Sequence, residues 1–395
     1  MNILFLTPRL PFPLIGGDRV KPYFLLKHIA QKHKVTLVTF YQGKEDPANY
    51  IKEIENIGVE VFTIPLNPFK AGLSCFFRGY KLRPIEILYY FSNNFQKKVD
   101  ELLSTRKYDI GFSFFMRTAE YLQNKNIKKI LIAEDSRILY QSRSYQETIN
   151  PLQKMVRYYE FLTLKNYEPS IIRRFNATTF VTQEDISFAK SNSIKSIFRL
   201  LTNGTDVDYF IPADFNKRKN ILFTGKFDVW ANQLMVERII KKIMPKVKEI
   251  FPNIIFSFVG ANPTKILKDL AEKNKIDLHS NVPTMLPYLQ NARIYLHPHR
   301  GATGIQNKLL EALSAGCPVV TTTSGNQGIY GKHKEHLMIG LTDEEIANNI
   351  IELLHNEELS KQLSKNAREL IIQTHSWEKI YSEFDAILEE FAENE

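Results

Sequence analysis

The strand–helix–strand pattern begins twice in this chain of 395 residues, and that limits its possible folds more than any other feature. Residues 3–7 (ILFLT) form an apolar run long enough for one strand. A loop with three prolines and Gly16-Gly17 follows, then Tyr23, Leu26, Ile29 and Ala30 at helical spacing, then a second apolar run over residues 35–40. Apolar positions three and four apart mark one helix face, and a strand–helix–strand unit lays its strands parallel. Further strands are expected at 59–64, 110–114, 130–133 and 178–182, with a long helix over 152–175. The pattern restarts near Asn220, with strand 221–223, helix 233–251, strand 255–259 ending at Gly260, helix 264–274, and strands at 295–296 and 319–320. Two successive series of this kind predict an α/β protein of two doubly wound, Rossmann-like domains. Their parallel sheets are expected to face a cleft, with ligands beyond the carboxyl ends of the strands.

Composition bounds what such a chain can do. No apolar run approaches the roughly 20 residues that span a bilayer. The start, MNILFLTPRLPF, lacks a basic leader and reads as a first strand, not a signal peptide. Cys75 and Cys317 are the only cysteines, which suits free thiols in a reducing cytoplasm. Residues 1–215 hold 30 Lys and Arg against 21 Asp and Glu, while the other 180 hold 22 of each, so the whole net charge of +9 lies in the first part. No nucleic-acid module is recognisable, so nucleic acid is not expected as a partner. An anionic membrane or a lipid-phosphate acceptor would use this charge, and a merely basic surface is the plain alternative. Residues 67–95 interleave aromatics with Lys70, Arg78, Lys81 and Arg83, a composition that suits a membrane interface. A helical insertion packed on its own domain would explain it equally. The expectation is a cytoplasmic protein, peripheral on the inner face of the cytoplasmic membrane if residues 67–95 are interfacial.

Residues 297–320 (HPHRGATGIQNKLLEALSAGCPVV) carry the clearest chemistry. Lys308 and Glu311 are three apart and share one helix face. Gly301 and Gly304 allow close backbone approach, and the helix start offers the N–H groups of Ile305, Gln306 and Asn307 to an anion. A carboxylate inside the run 309–313 is costly to desolvate unless it gains partners, and a ribose diol is a good one. The stretch therefore suits a sugar nucleotide, although a surface Lys–Glu pair after a glycine turn would look similar.

These residues resemble the donor motif of glycosyltransferase family 4, which has the GT-B fold. Glu311 matches the second Glu of that motif, Gly304 its Gly, and residues 315–320 (AGCPVV) its tail, while Thr303 replaces the first Glu. The form GIQNKLLEA at 304–312 is similar to sugar transferases associated with exosortase and PEP-CTERM exopolysaccharide systems. Residues 3–7 with Gly17-Asp18, 203–206, 223–225 with Trp230 and Asn232, and Val259-Gly260 follow that subgroup in order.

The resemblance implies a retaining glycosyltransferase of hexosyltransferase type. It would move sugar from a UDP- or GDP-sugar to a lipid-linked or polysaccharide acceptor in bacterial cell-surface glycan synthesis. It implies an acceptor-side domain over residues 1–210, completed by a final helix at 377–395, and a donor domain over 211–376. By the same resemblance the donor would meet Gly16, Gly17, Gly225, Asn232, Gly260, Thr303, Gly304 and the 305–308 segment. Lys226, Glu311 and Asp18 are assigned to catalysis, and Arg19, Arg117 and Asp135 to the acceptor. The family places a Lys where Asn232 stands, so Lys308 or Arg300 is expected to supply the missing charge. Glu134 and Asp135 could alternatively cap a helix. No metal or cofactor is expected, since lysines and a helix dipole suffice for a diphosphate. Two other readings stay open. His297 and His299 would suit a sugar-nucleotide epimerase, whereas Thr303 and Asn232 would suit an inactive binding protein.

Overall fold

The computed structural model describes residues 1–14, 16–43, 45–78, 82–148, 150–192, 194–301 and 304–392. Thr303, expected at the donor site, lies outside them, as does Lys81. The chain divides into two compact units. One is Met1–Thr202 with the segment from Tyr381 onward, and the other is Asn203–Ile380.

The first unit is a seven-stranded, all-parallel sheet. Its strands are β1 (Asn2–Thr7), β2 (Lys34–Tyr41), β3 (Val59–Pro65), β4 (Ile110–Phe114), β5 (Lys128–Glu134), β6 (Ala177–Phe180) and β7 (Ile197–Leu200). Their order is β3-β2-β1-β4-β5-β6-β7, so the chain reverses its direction of travel between β1 and β4. The central strands are buried on both faces, which is why they read as unbroken apolar runs and not as alternating ones. The final helix, Trp377–Ala392, contributes its later turns to this unit. His28 Nε2 is 2.8 Å from Asp385, Arg199 bonds Glu390, and the rings of Phe112 and Phe384 are 5.2 Å apart.

The second unit has six parallel strands: β8 (Asn220–Thr224), β9 (Phe256–Gly260), β10 (Asp277–Ser280), β11 (Ala292–His297), β12 (Val319–Thr321) and β13 (Met338–Ile339). The order β10-β9-β8-β11-β12-β13 places its reversal between β8 and β11. Phe223, Phe256, Phe258, Leu296 and Val320 lie in its core.

The helix expected over 233–251 is interrupted. It runs Trp230–Arg238, widens to a π turn over Ile239–Ile243 and resumes at Met244–Ile250. Pro245 explains the break, because its ring would clash with the carbonyl four residues earlier and it has no N–H to offer. Three strands were not expected: β7, β10 and β13. β10 reads DLHS, a polar edge strand without alternation, and β13 has only two residues.

The described part of residues 67–95 contains the helices Pro68–Arg78 and Ile85–Tyr89 and the start of a third, Asn93–Thr105. Ala71, Ile87 and Leu88 are buried, so the segment does pack on its unit, but much of its apolar surface stays outside. Among the described residues no helix is long and apolar enough to cross a membrane.

Candidate functional site

In the second unit the expected donor residues gather at the carboxyl ends of β8, β9 and β11, where the sheet order reverses. A crevice at such a point is where open α/β sheets bind ligands. β8 ends at Thr224, and Gly225 and Lys226 follow. Gly260, ending β9, approaches so closely that a Cβ there would sit 1.8 Å from the Gly225 carbonyl oxygen. Only glycine permits that contact, which holds the turn after β8 in place.

Asn232, nearly buried in the first turn of its helix, connects two elements. Its Nδ2 donates to the Lys226 carbonyl at 2.8 Å, and its Oδ1 accepts from Lys308 Nζ at 2.9 Å. A positive charge therefore stands beside position 232 although the residue itself is neutral. Arg300, the other expected source, lies elsewhere, 3.7 Å from Asp343. The Lys226 side chain is exposed and has no ion-pair partner among the described residues.

Lys308 and Glu311 share one face of the Asn307–Ser314 helix, both half-buried. Desolvation lowers the Lys308 pKa to about 8 against the opposing pull of Glu311. Desolvation likewise raises Glu311 to about 7, and Lys308 only partly offsets it. The Glu311 carboxylate accepts no hydrogen bond among the described residues. A half-buried carboxylate of this kind is costly and unfilled.

Gly304 takes φ +70, a left-handed conformation that admits glycine readily. It leads through Ile305 into Gln306, the residue preceding the helix, whose side chain makes no capping bond. Leu309 N donates to the Gln306 carbonyl at 2.8 Å, while the Asn307 and Lys308 N–H groups have no partner among the described residues and can meet an anion. Asn203 Nδ2 donates to Asn307 Oδ1 at 2.8 Å and steadies the helix start.

His297 and His299 follow at the end of β11. His297 is fully buried, and neither of its ring nitrogens has a partner among the described residues. Burial, then the nearby Lys308, holds its pKa well below the usual value, and the same causes bring His299 to about 4. Both imidazoles are neutral. Arg238 has no motif to mark it, yet its Nη1 donates to the Pro298 carbonyl at 2.6 Å and it pairs with Asp343. It fixes the start of the loop after β11.

In the first unit, Gly16, Gly17, Asp18 and Arg19 lie at the start of the Gly17–Ile29 helix. Asp18 is bound to Arg9 at 2.9 Å. Arg9, Arg19, Phe12, Tyr41 and Tyr50 line a cavity of about 450 Å³. Arg19 has no ion-pair partner among the described residues, and Arg9 Nε is buried without one. Arg117 follows β4 and Asp135 follows β5, on the same sheet edge. They join a charge cluster in which Glu86 meets Arg117 at 3.2 Å and Arg137 at 2.9 Å, with Asp135 3.5 Å from Arg137. The capping alternative for Glu134 and Asp135 fails. Ser136 caps the Arg137–Glu147 helix, and Glu134 instead meets Lys21 at 2.6 Å.

Comparison with known proteins adds four findings. Residues 218–356 match the family described as glycosyl transferases group 1. An uncharacterized 44.6 kDa protein in the cps region of Klebsiella pneumoniae is 21% identical over 400 residues, covering 96% of this chain and 98% of its own. An uncharacterized glycosyltransferase of Methanocaldococcus jannaschii is 24% identical over 230 residues, covering 55% of this chain and 56% of its own. Among solved structures, Anabaena Alr3699/HepE in complex with UDP and glucose has a TM-score of 0.70 at 12% identity, covering 99% of this chain and 100% of its own. At that identity the structural likeness speaks to the fold, which is the two-sheet GT-B architecture. The domain match, the relatives and the fold together support a glycosyltransferase of the GT-B type.

Proposed function

We propose that the chain is a retaining glycosyltransferase of hexosyltransferase type. It would move a sugar from a UDP- or GDP-sugar to a lipid-linked or polysaccharide acceptor in bacterial cell-surface glycan synthesis. The observation that carries this reading is the unfilled Glu311 carboxylate, set three residues from a lysine whose ammonium stands beside Asn232. Glu311 would accept both ribose hydroxyls. Lys226, Lys308 and the amides at the start of the 307–314 helix would face the diphosphate. Negative charge grows on that group as the glycosidic bond to it breaks, so donors aimed there act most in the transition state. The UDP and glucose bound by the Anabaena protein support a UDP-sugar. In the first unit, Arg19, with no ion-pair partner among the described residues, stands beside aromatic rings and suits an acceptor that carries both a sugar ring and a negative charge. The epimerase alternative rests on His297 and His299. Desolvation keeps both imidazoles neutral near pH 7, so neither supplies the imidazolium acid that this alternative draws from them.

The reading is tested with a panel of nucleotide sugars, followed by mass spectrometry of the products. Transfer from no UDP- or GDP-sugar to any glycan or lipid acceptor would overturn it. Lys226→Ala is expected to lower kcat about tenfold or more as well as weakening the donor, because the charge it meets is larger in the transition state. A rise in donor KM alone would remove that role.

The pH dependence of UDP binding gives a second check. Lys308 loses its charge above about pH 8, and Glu311 is protonated below about 7. UDP affinity should therefore fall on both sides of a narrow optimum. Lys308→Arg keeps its charge at high pH, so calorimetry on that variant should show the alkaline limb lost and the acid limb kept.

A further inference from the structure

The Pro68–Arg78 helix leaves large apolar side chains in solvent: Phe69 is 79% exposed, Phe76 82% and Phe77 66%. The first turns of the Pro151–Ile172 helix do the same, with Leu152 at 72% and Met155 at 64%, and Val156 and Leu162 also exposed. The two helices meet at one short segment. Cys75 Sγ lies 3.7 Å from the Ile85 carbonyl, Ile85 N donates to Glu160 at 2.7 Å, and Tyr159 Oη donates to the Arg83 carbonyl at 3.2 Å. Two apolar surfaces joined in this way exceed the scattered hydrophobics normal on a protein exterior, so they call for a partner.

The charges around them identify its chemistry. Residues 61–99 contain six Lys and Arg and one acid, Glu86. That acid is enclosed between Arg117 and Arg137. The Pro151–Ile172 helix carries Lys154, Arg157 and Lys165, and its two acids, Glu160 and Glu168, are buried. The outer surface of both helices is therefore apolar and basic with no exposed acid of their own. A symmetric pairing of two copies would press like charges together, which disfavours self-association. No described helix could span a bilayer.

We propose that this surface docks the first unit on an anionic bilayer. The exposed Phe69, Phe76, Phe77, Leu152 and Met155 enter the headgroup boundary, while Lys70, Arg78 and Lys154 meet lipid phosphates. Hydrophobic insertion and electrostatic attraction act together in such binding. The inference does not depend on the glycosyl-transfer reading, because the surface can be assayed without any sugar donor.

Co-sedimentation with vesicles of phosphatidylglycerol and phosphatidylcholine tests it, with phosphatidylcholine vesicles as the control. The wild-type chain should bind the anionic vesicles at low salt, be released by high salt, and bind the neutral vesicles far more weakly. Lys70→Gln with Lys154→Gln should lower partitioning by roughly 25-fold, about fivefold for each cation removed. Phe76→Ser with Phe77→Ser should abolish binding and leave the melting temperature unchanged, since both rings already face solvent. The proposal is overturned if wild type ignores anionic vesicles at low salt, binds neutral ones equally, or is matched by either variant. It is also overturned if the phenylalanine variant only converts a dimer to a monomer, which would assign the surface to a second copy of the chain.

Discussion

Glu311→Ala is expected to lower donor kcat/KM by about a hundredfold to a thousandfold without lowering the melting temperature. A hydrogen bond to a charged acceptor contributes roughly 1.5–3 kcal/mol, and two to a ribose diol reach the lower end of that range in rate, since about 1.4 kcal/mol is tenfold. The stability half of the expectation follows from linkage. The Glu311 pKa is raised to about 7 in the fold, above its unfolded value, so the ionised carboxylate opposes folding progressively as pH rises past the unfolded value. Alanine removes that cost. Thermal melts at pH 8 alongside initial rates at sub-saturating donor separate the two effects. Wild-type turnover in the variant would refute the ribose assignment, and a lower melting temperature would show that the carboxylate supports the fold.

Lys21→Met should destabilise the first unit by about 3–5 kcal/mol, the usual cost of stranding one member of a buried ion pair. Lys21 is 2% exposed and donates to Glu134 at 2.6 Å and to the Leu201 carbonyl at 2.8 Å. Glu134, at φ +71, has a backbone conformation that a non-glycine residue adopts at some cost. Burial pushes the Glu134 pKa up and that of Lys21 down, more strongly than their attraction opposes either shift. With the lysine gone, Glu134 takes up a proton more readily in the fold than in the unfolded chain. The defect should therefore shrink as pH falls toward the ordinary carboxylate range and grow as pH rises. Circular dichroism melts of the single variant and of Lys21→Met with Glu134→Leu test this. The double variant should recover most of the loss, and a single variant as stable as wild type would show that the pair contributes nothing.

Much of the fold was legible because parallel strands covered on both faces leave unbroken apolar runs, as at residues 3–7, 35–40 and 110–114. Asp277–Ser280 escaped notice for the opposite reason. An edge strand touching solvent does not need that pattern. The helical spacing of Lys308 and Glu311 could be read from the period alone. The Lys308–Asn232 bond could not, because it joins residues 76 positions apart through a sheet crossing. Arg300 looked an equal source of charge until its position beside Asp343 was known. The histidines near the glycine loop looked available, whereas His297 is fully buried. The exposure of Phe76 and Phe77 was suggested by composition, but the matching surface on the 151–172 helix depends on tertiary contacts.

The meeting of Gly260 with the Gly225 carbonyl has a consequence for anyone who mutates this protein at random. Position 260 should behave as intolerant as a substrate-binding residue in a selection for activity, although its hydrogen atom offers a donor molecule almost nothing. Any side chain there must displace the end of β8, and with it Lys226 and the Asn232–Lys308 bond. A map of sensitive positions would then mark a structural wedge as recognition. Only substitutions scored separately for folding and for nucleotide affinity would reveal that the sensitivity comes from backbone spacing.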